Sequence, residues 1–224
     1  MPDHKQKRPT SVGVLLRRIK NDPRLAGAQV HRMVRTTKRD AFTCLVAAML
    51  STRTKDEVTA EAAERLLRRA PTPEALLELP EVEIGRLIYP VGFWKQKAAA
   101  LRTTCQMLVS KHGGRVPDTL DELLQLKGVG LKIANLVLGR VFGKPAVCVD
   151  THVHRIFNRW GMVSTKAPEE TEQKLRELIP RRYWVELNGI LVAFGQTICT
   201  PISPRCSTCP VEASCEKVGV GSSR

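Results

Sequence analysis

The stretch DELLQLKGVGLKIANLVLG, residues 121–139, constrains the fold more than any other part of the chain. DELLQL is a short apolar-periodic segment, and Thr119-Leu-Asp-Glu122 before it has capping-box spacing. KGVG then stops the helix. Glycines at 128 and 130 allow positive φ and close approach of another backbone. LKIANLVLGRVFG resumes the helical pattern. The segment therefore predicts helix, tight hairpin, helix. Amides of the turn and of the next helix's first turn can point outward together, a nest for an anion favoured by the helix dipole. A nucleic-acid phosphate is the obvious ligand, and such a contact reads no sequence. An ordinary αα-hairpin carries the same pattern, and G-x-G by itself is weakly specific.

The rest of the chain repeats this theme of short helices between tight turns. AFTCLVAAMLS (41–51) is too long and alanine-rich for a strand. Thr54-Lys-Asp-Glu57 has capping-box spacing ahead of EVTAEAAERLLRRA, a strongly amphipathic helix. Thr72-Pro73-Glu74 and Ala167-Pro168-Glu169-Glu170 each place proline in a first turn, with acids where the dipole favours them. Asn188 to Thr197 reads as a buried helix. Breaks are expected at 71–73, 80–95, 110–118, 126–131, 143–151, 161–168 and after 198. No sustained period-2 alternation exists, so strands are expected to be few or absent. The ends, 1–10 and 217–224, are expected to be disordered.

The chain has 224 residues and 42% apolar composition, enough for a sizeable core. No run of ~18 apolar residues predicts a membrane span. MPDHKQKRPT lacks the apolar core of a secretion signal, so the default is an intracellular protein, cytoplasmic or at the nucleoid if prokaryotic. The formal charge is +14. Residues 1–40 hold eleven Lys/Arg against three Asp. That excess favours a polyanionic partner, because each neutralised phosphate releases counterions. A solvated basic face is the plainer explanation, and no basic helix with aromatic anchors points to a membrane surface.

Cys44, Cys105 and Cys148 sit singly in apolar surroundings and read as core residues. Cys199, Cys206, Cys209 and Cys215 crowd into seventeen residues. In an intracellular chain this argues for metal over disulfides. Four thiolates suit either zinc or a [4Fe–4S] cluster.

Several motifs together resemble a known family. LKGVGLKIANLVL is similar to the helix–hairpin–helix of DNA repair glycosylases, and VDTHVHRIFNRWG to the segment that follows it. With C-x6-C-x2-C-x5-C, they resemble endonuclease III, the bifunctional glycosylase/lyase for oxidised pyrimidines. IYPVGFWKQKA and LNGILVAFGQ also look like this family, and the resemblance spans roughly residues 35 to 216.

The resemblance implies the following roles. Lys132, after the second hairpin glycine, is the nucleophile, and Asp150 of V-D-T-H is its carboxylate partner. Composition and spacing alone would make Lys132 a phosphate contact and Asp150 a helix cap. A nucleophilic lysine must be neutral, so Lys132 is expected to be desolvated or near cations. Gly128, Val129 and Gly130 grip a phosphate. Cys199, Cys206, Cys209 and Cys215 hold a structural [4Fe–4S] cluster, and the TPISPR insert projects outward with Arg205 toward a phosphate. A flipped base leaves a gap to fill. Arg53 stands where the family has glutamine, and Phe93 where it has an apolar wedge.

The implied fold is a two-lobed, all-α helix–hairpin–helix glycosylase with a C-terminal iron–sulfur loop. One lobe is 34–144. The other joins 1–33 to 145–224. Lys132 is expected on one side of the cleft and Asp150 at its other edge. The implied partner is duplex DNA with damaged bases or abasic sites, bound by a monomer. Three alternatives remain: a thymine or adenine mismatch glycosylase on the same scaffold, a non-catalytic DNA-binding module, and a redox sensor built on the cluster.

Overall fold

The computed structural model describes residues 11–28 and 40–224. The expected disorder of 1–10 and the expected boundary at 33/34 lie outside the described residues. Every regular element among those described is helical. Two compact units result: 11–28 with 149–224, and 40–148. The chain passes from one to the other between Cys148 and Val149, where the sequence suggested 144/145.

Helix α1 (Val12–Lys20) buries Val12, Leu15, Leu16 and Ile19, an i, i+3, i+4, i+7 stripe. The next helices build the continuous unit. These are α2 (Ala41–Ser51), α3 (Asp56–Arg69), α4 (Pro73–Leu77), α5 (Glu81–Ile88), α6 (Trp94–His112), α7 (Leu120–Gln125) and α8 (Leu131–Arg140). Asp40 caps α2 by accepting from Thr43 N at 2.7 Å. Phe42 and all of Cys44–Leu50 are buried, so α2 is the central post of this unit. It packs against α3, α6 and α8. A fully buried leucine of this kind is worth about 2–5 kcal/mol against alanine. Cys44 and Cys105 are small core residues as expected, and burial pushes their thiols up to about 11 and about 12.

The other unit adds α9 (Thr151–Arg159), α10 (Pro168–Leu178) and α11 (Trp184–Thr197). Helix α11 is its centre, packed on α1 and α9, with Leu187, Leu191, Ala193 and Phe194 almost fully buried. Two ends of the chain thus share one core.

Local expectations fare unevenly. Thr72 and Thr119 cap their helices through Ala75 N and Glu122 N, and Pro168 opens α10 behind Ala167. Thr54 does not cap α3. That helix starts after Lys55, and the Thr54 hydroxyl instead accepts from Gly92 N at 3.1 Å. A tertiary contact has displaced the local one. Helix α5 lies inside the expected break at 80–95, and α11 begins at Trp184, before the expected Asn188. Residues 217–224 are ordered: Val218 N donates to Arg159 O at 3.1 Å and Arg224 N to Pro204 O at 2.8 Å. Their polar composition hid the backbone pairing that holds them.

Candidate active site

The hairpin between α7 and α8 is shaped by one glycine. Gly128 has φ +79, which L side chains rarely adopt. Below it, the buried Thr104 hydroxyl donates to Lys127 O at 2.7 Å. Val129 turns inward: its side chain is buried and its N–H donates to Leu126 O at 3.1 Å. Val129 is therefore the plug under the turn. Gly130 is the N-cap of α8 in extended backbone (φ −96, ψ 178), so positive φ is not its reason for being glycine. A Cβ there would meet open space. No side chain caps the helix at Gly130. First-turn amides have no intrahelical acceptor, and this end of α8 is the positive end of its dipole.

Lys132 stands exposed on that first turn. The expected desolvation is absent, because the apolar faces of α8 at Ile133, Ala134, Val137 and Leu138 are the buried ones. Its carbonyl accepts from Cys148 Sγ at 3.6 Å, and Asn135 Nδ2 donates to Val147 O at 3.0 Å. These bonds fix α8 to the segment that leaves the unit.

Arg53 and Phe93 come together. Arg53 (φ +51) and Phe93 (φ +59) both have left-handed backbone. The guanidinium carbon lies 5.5 Å from the Phe93 ring centroid. Phe93 is 54% exposed, so it is not a core residue. Such paired outliers persist only where surrounding structure over-determines them.

In the other unit, Asp150 caps α9. Its Oδ1 accepts from His152 N at 2.9 Å and Val153 N at 3.0 Å. Arg155 follows one turn on, donating to Gly195 O at 3.2 Å and Cys199 O at 2.9 Å. Burial pushes its guanidinium pKa down, while Cys199 and Asp150 oppose that shift.

Cys199, Cys206, Cys209 and Cys215 border one pocket together with Arg159, Trp160 and Phe194. None is in a disulfide. Among the described residues, no three metal-ligating side chains converge where a single ion could bind. The four cysteines thus line one space. Burial pushes Cys209 up to about 11 and also raises Cys215, and the neighbouring cysteines add to both. Arg159 fastens the loop: Nη1 donates to Cys199 Sγ at 3.3 Å and to Thr200 O at 2.7 Å, and Nη2 to Pro201 O at 2.7 Å. Lys217 N donates to Cys215 Sγ at 3.4 Å. Arg24 reaches the same loop at Thr208 O, 2.7 Å away. Arg205 is exposed at the rim. Sequence reasoning passed over Thr104, Asn135, Arg155 and Arg159. None had a signal: both arginines lie off the Val153, Ile156, Phe157, Trp160 stripe of THVHRIFNRW.

The pattern of the HhH-GPD superfamily base excision DNA repair proteins matches residues 46–181. Endonuclease III of Thermotoga maritima is 46% identical over 193 residues, 86% of this chain and 91% of that protein. Endonuclease III-like protein 1 of Mus musculus is also 46% identical, over 78% of this chain but 59% of its own length. A trapped endonuclease III–DNA covalent intermediate, the estranged-adenine complex, superposes with a TM-score of 0.76 at 32% identity. That match covers 84% of this chain and 92% of the other. With its glycine hairpin and four-cysteine pocket, the chain belongs to the HhH-GPD superfamily of base excision DNA repair proteins.

Proposed function

We propose that this repair protein is a bifunctional DNA glycosylase and abasic-site lyase that removes oxidised pyrimidines from duplex DNA. The observation that carries the reading is Lys132, exposed on the first turn of α8 directly after the Gly128 turn. The hairpin holds a backbone phosphate through first-turn amides, which delivers the neighbouring sugar to the amine. Bound DNA excludes the water that reaches Lys132 in the free protein.

The C1′–N bond breaks through an oxocarbenium-like sugar, whose charge the Asp150 carboxylate stabilises. The base leaves with the bonding electrons and takes up a proton. The Lys132 lone pair attacks C1′, and ring opening gives the Schiff base. Its electron demand acidifies the 2′ hydrogen, and β-elimination expels the 3′ phosphate. Arg53 and Phe93 fill the space the flipped nucleotide vacates, and Arg205 meets the backbone. The lobe assignment of 34–144 against 1–33 with 145–224 is supported by the passage between units at 148/149.

The cysteine loop suits a [4Fe–4S] cluster, a reading supported by its C-x6-C-x2-C-x5-C spacing and its likeness to endonuclease III. Zinc draws thiolates to about 2.3 Å from one centre, whereas a cluster takes one thiolate at each of four irons. Four cysteines border one space here, and Arg159 and Lys217 N–H groups already donate to sulfur. Cys199, Cys206, Cys209 and Cys215 would hold the cluster. Glycosidic cleavage involves no oxidation or reduction, so the cluster would supply folding, not chemistry. Iron content and visible absorbance test this, and a colourless, zinc-loaded, fully active protein would reject it.

Lys132→Gln is expected to abolish borohydride trapping on abasic DNA. If trapping persists, Lys132 is not the Schiff-base residue. Incision of thymine-glycol duplex in preference to G·T and A·G duplexes is expected. Preference for either mismatch would move the chain to the mismatch branch, and no incision of any duplex would make it a binding module.

A further inference from the structure

Lys97 lies in the first turn of α6 and has no part in the chemistry above. Its ammonium is fully engaged. Nζ donates to Leu50 O at 2.7 Å, Thr52 O at 2.6 Å and Thr54 Oγ1 at 3.2 Å. The first acceptors are carbonyls at the end of α2, where the helix leaves backbone oxygens unpaired and its dipole favours a cation. The three acceptors bracket Arg53, which has left-handed backbone. The second loop enters the same knot. Gly92 N donates to Thr54 Oγ1 at 3.1 Å, and a Cβ on Gly92 would lie 2.5 Å from Arg53 O. Only glycine lets the loops approach this closely. Phe93, the next residue, is thereby delivered beneath the Arg53 guanidinium.

We propose that Lys97 is a positioning residue for base extrusion, whose ammonium locks the Arg53 and Phe93 loops into a preformed wedge. The inference rests on reading Arg53 and Phe93 as the groups that fill the vacated space. A wedge of two side chains on two loops must be rigid before it meets DNA, because ordering it on the duplex would raise the barrier to extrusion. Lys97 supplies that rigidity from below while touching neither wedge side chain in the bonds it makes. Burial, and then the Lys132 cation, push the Lys97 ammonium down to about 8. The three oxygens facing it favour the charged form, and at neutral pH it remains a cation.

The test compares Lys97→Met, Lys97→Arg, Thr54→Val, Arg53→Ala and Phe93→Ala in the iron-loaded full chain. Single-turnover excision from thymine-glycol duplex and 2-aminopurine fluorescence beside the lesion read extrusion. Borohydride trapping on a single-stranded abasic oligonucleotide reads the lysine chemistry without it. Lys97→Met is expected to slow duplex excision about tenfold or more and suppress the fluorescence change. Its single-strand trapping should stay within about twofold of the parent. Lys97→Arg should recover part of the loss, and adding Arg53→Ala to Lys97→Met should cost little more. If Lys97→Met does not fold, Thr54→Val, which removes one acceptor from the knot, is expected to show the same split more weakly. Equal loss on duplex and single strand would overturn the proposal, as would duplex excision and fluorescence like the parent's. If Arg53→Ala and Phe93→Ala leave duplex excision unchanged, the wedge reading itself fails. If they impair it and neither Lys97→Met nor Thr54→Val does, only the role of Lys97 fails.

Discussion

Asp150 has two jobs in the proposed reaction, and one atom count separates them. As a cap it needs one oxygen, which accepts from His152 N and Val153 N. As a stabiliser of a sugar cation it needs a negative charge. Asparagine supplies the oxygen and lacks the charge, and it ranks with aspartate as an N-cap. Asp150→Asn should therefore keep the cap, giving up only the charge that faces the Arg155 guanidinium, while excising on the order of a hundredfold more slowly. Asp150→Ala should lose the rate and also about 1 kcal/mol of stability. Thermal melts beside single-turnover excision check this. An active Asp150→Asn would leave Asp150 a cap and nothing more. The charge on this residue was legible in V-D-T-H only through the resemblance, because a helix start explains an aspartate equally well.

At the scale of elements, the hairpin shows what a sequence pattern carries and what it omits. GVG announced a turn between helices, and the turn is there. It did not say that the two glycines serve different ends. Gly128 is glycine for its backbone, at φ +79, with Ala100 Cβ 3.2 Å from any added Cβ. Gly130 has ordinary backbone and open space around it. Gly128→Ala should destabilise by about 1–2 kcal/mol. Gly130→Ala should unfold like the parent yet bind abasic duplex more weakly, because its methyl would occupy the space left for a phosphate. Denaturant titration and binding at fixed salt distinguish the two. Parental DNA affinity in Gly130→Ala would remove the phosphate from this turn. The same omission explains Thr54, where spacing predicted a cap. Capping is a contact across three residues, which a sequence displays, whereas the Gly92 and Lys97 contacts to Thr54 span thirty-eight and forty-three. The sequence suggests desolvation at Lys132 for a similar reason. Periodicity gives the buried face of α8, and this lysine is on the other one.

At the scale of the molecule, a core shared by the two ends of the chain cannot be read from local pattern. Its contacts join α1 to α11 across more than 160 residues, so only the resemblance suggested it. That construction has a thermodynamic consequence. The 40–148 unit is continuous and organised around the buried α2. The other unit must close a long chain before its core forms. Its cysteine segment has only short turns at Cys206–Thr208 and Glu212–Ser214. Arg24, Arg159 and residues 218–224 tie that segment to the unit through hydrogen bonds, and its Val211 side chain is fully buried. Thiolate–iron bonds would then be its main source of stability, and their free energy is folding free energy. Chelating the iron under anaerobic reducing conditions should raise amide exchange first in 199–224. The increase should spread to α9, α11 and α1, while the α2 and α8 amides keep their protection. Hydrogen exchange read by mass spectrometry resolves these segments. Uniform loss of protection across both units would mean that the cluster stabilises the whole molecule at once. No change would mean that the loop stands on its protein contacts alone. The expected pattern lies between these, because the loop's ties end within the unit that contains it.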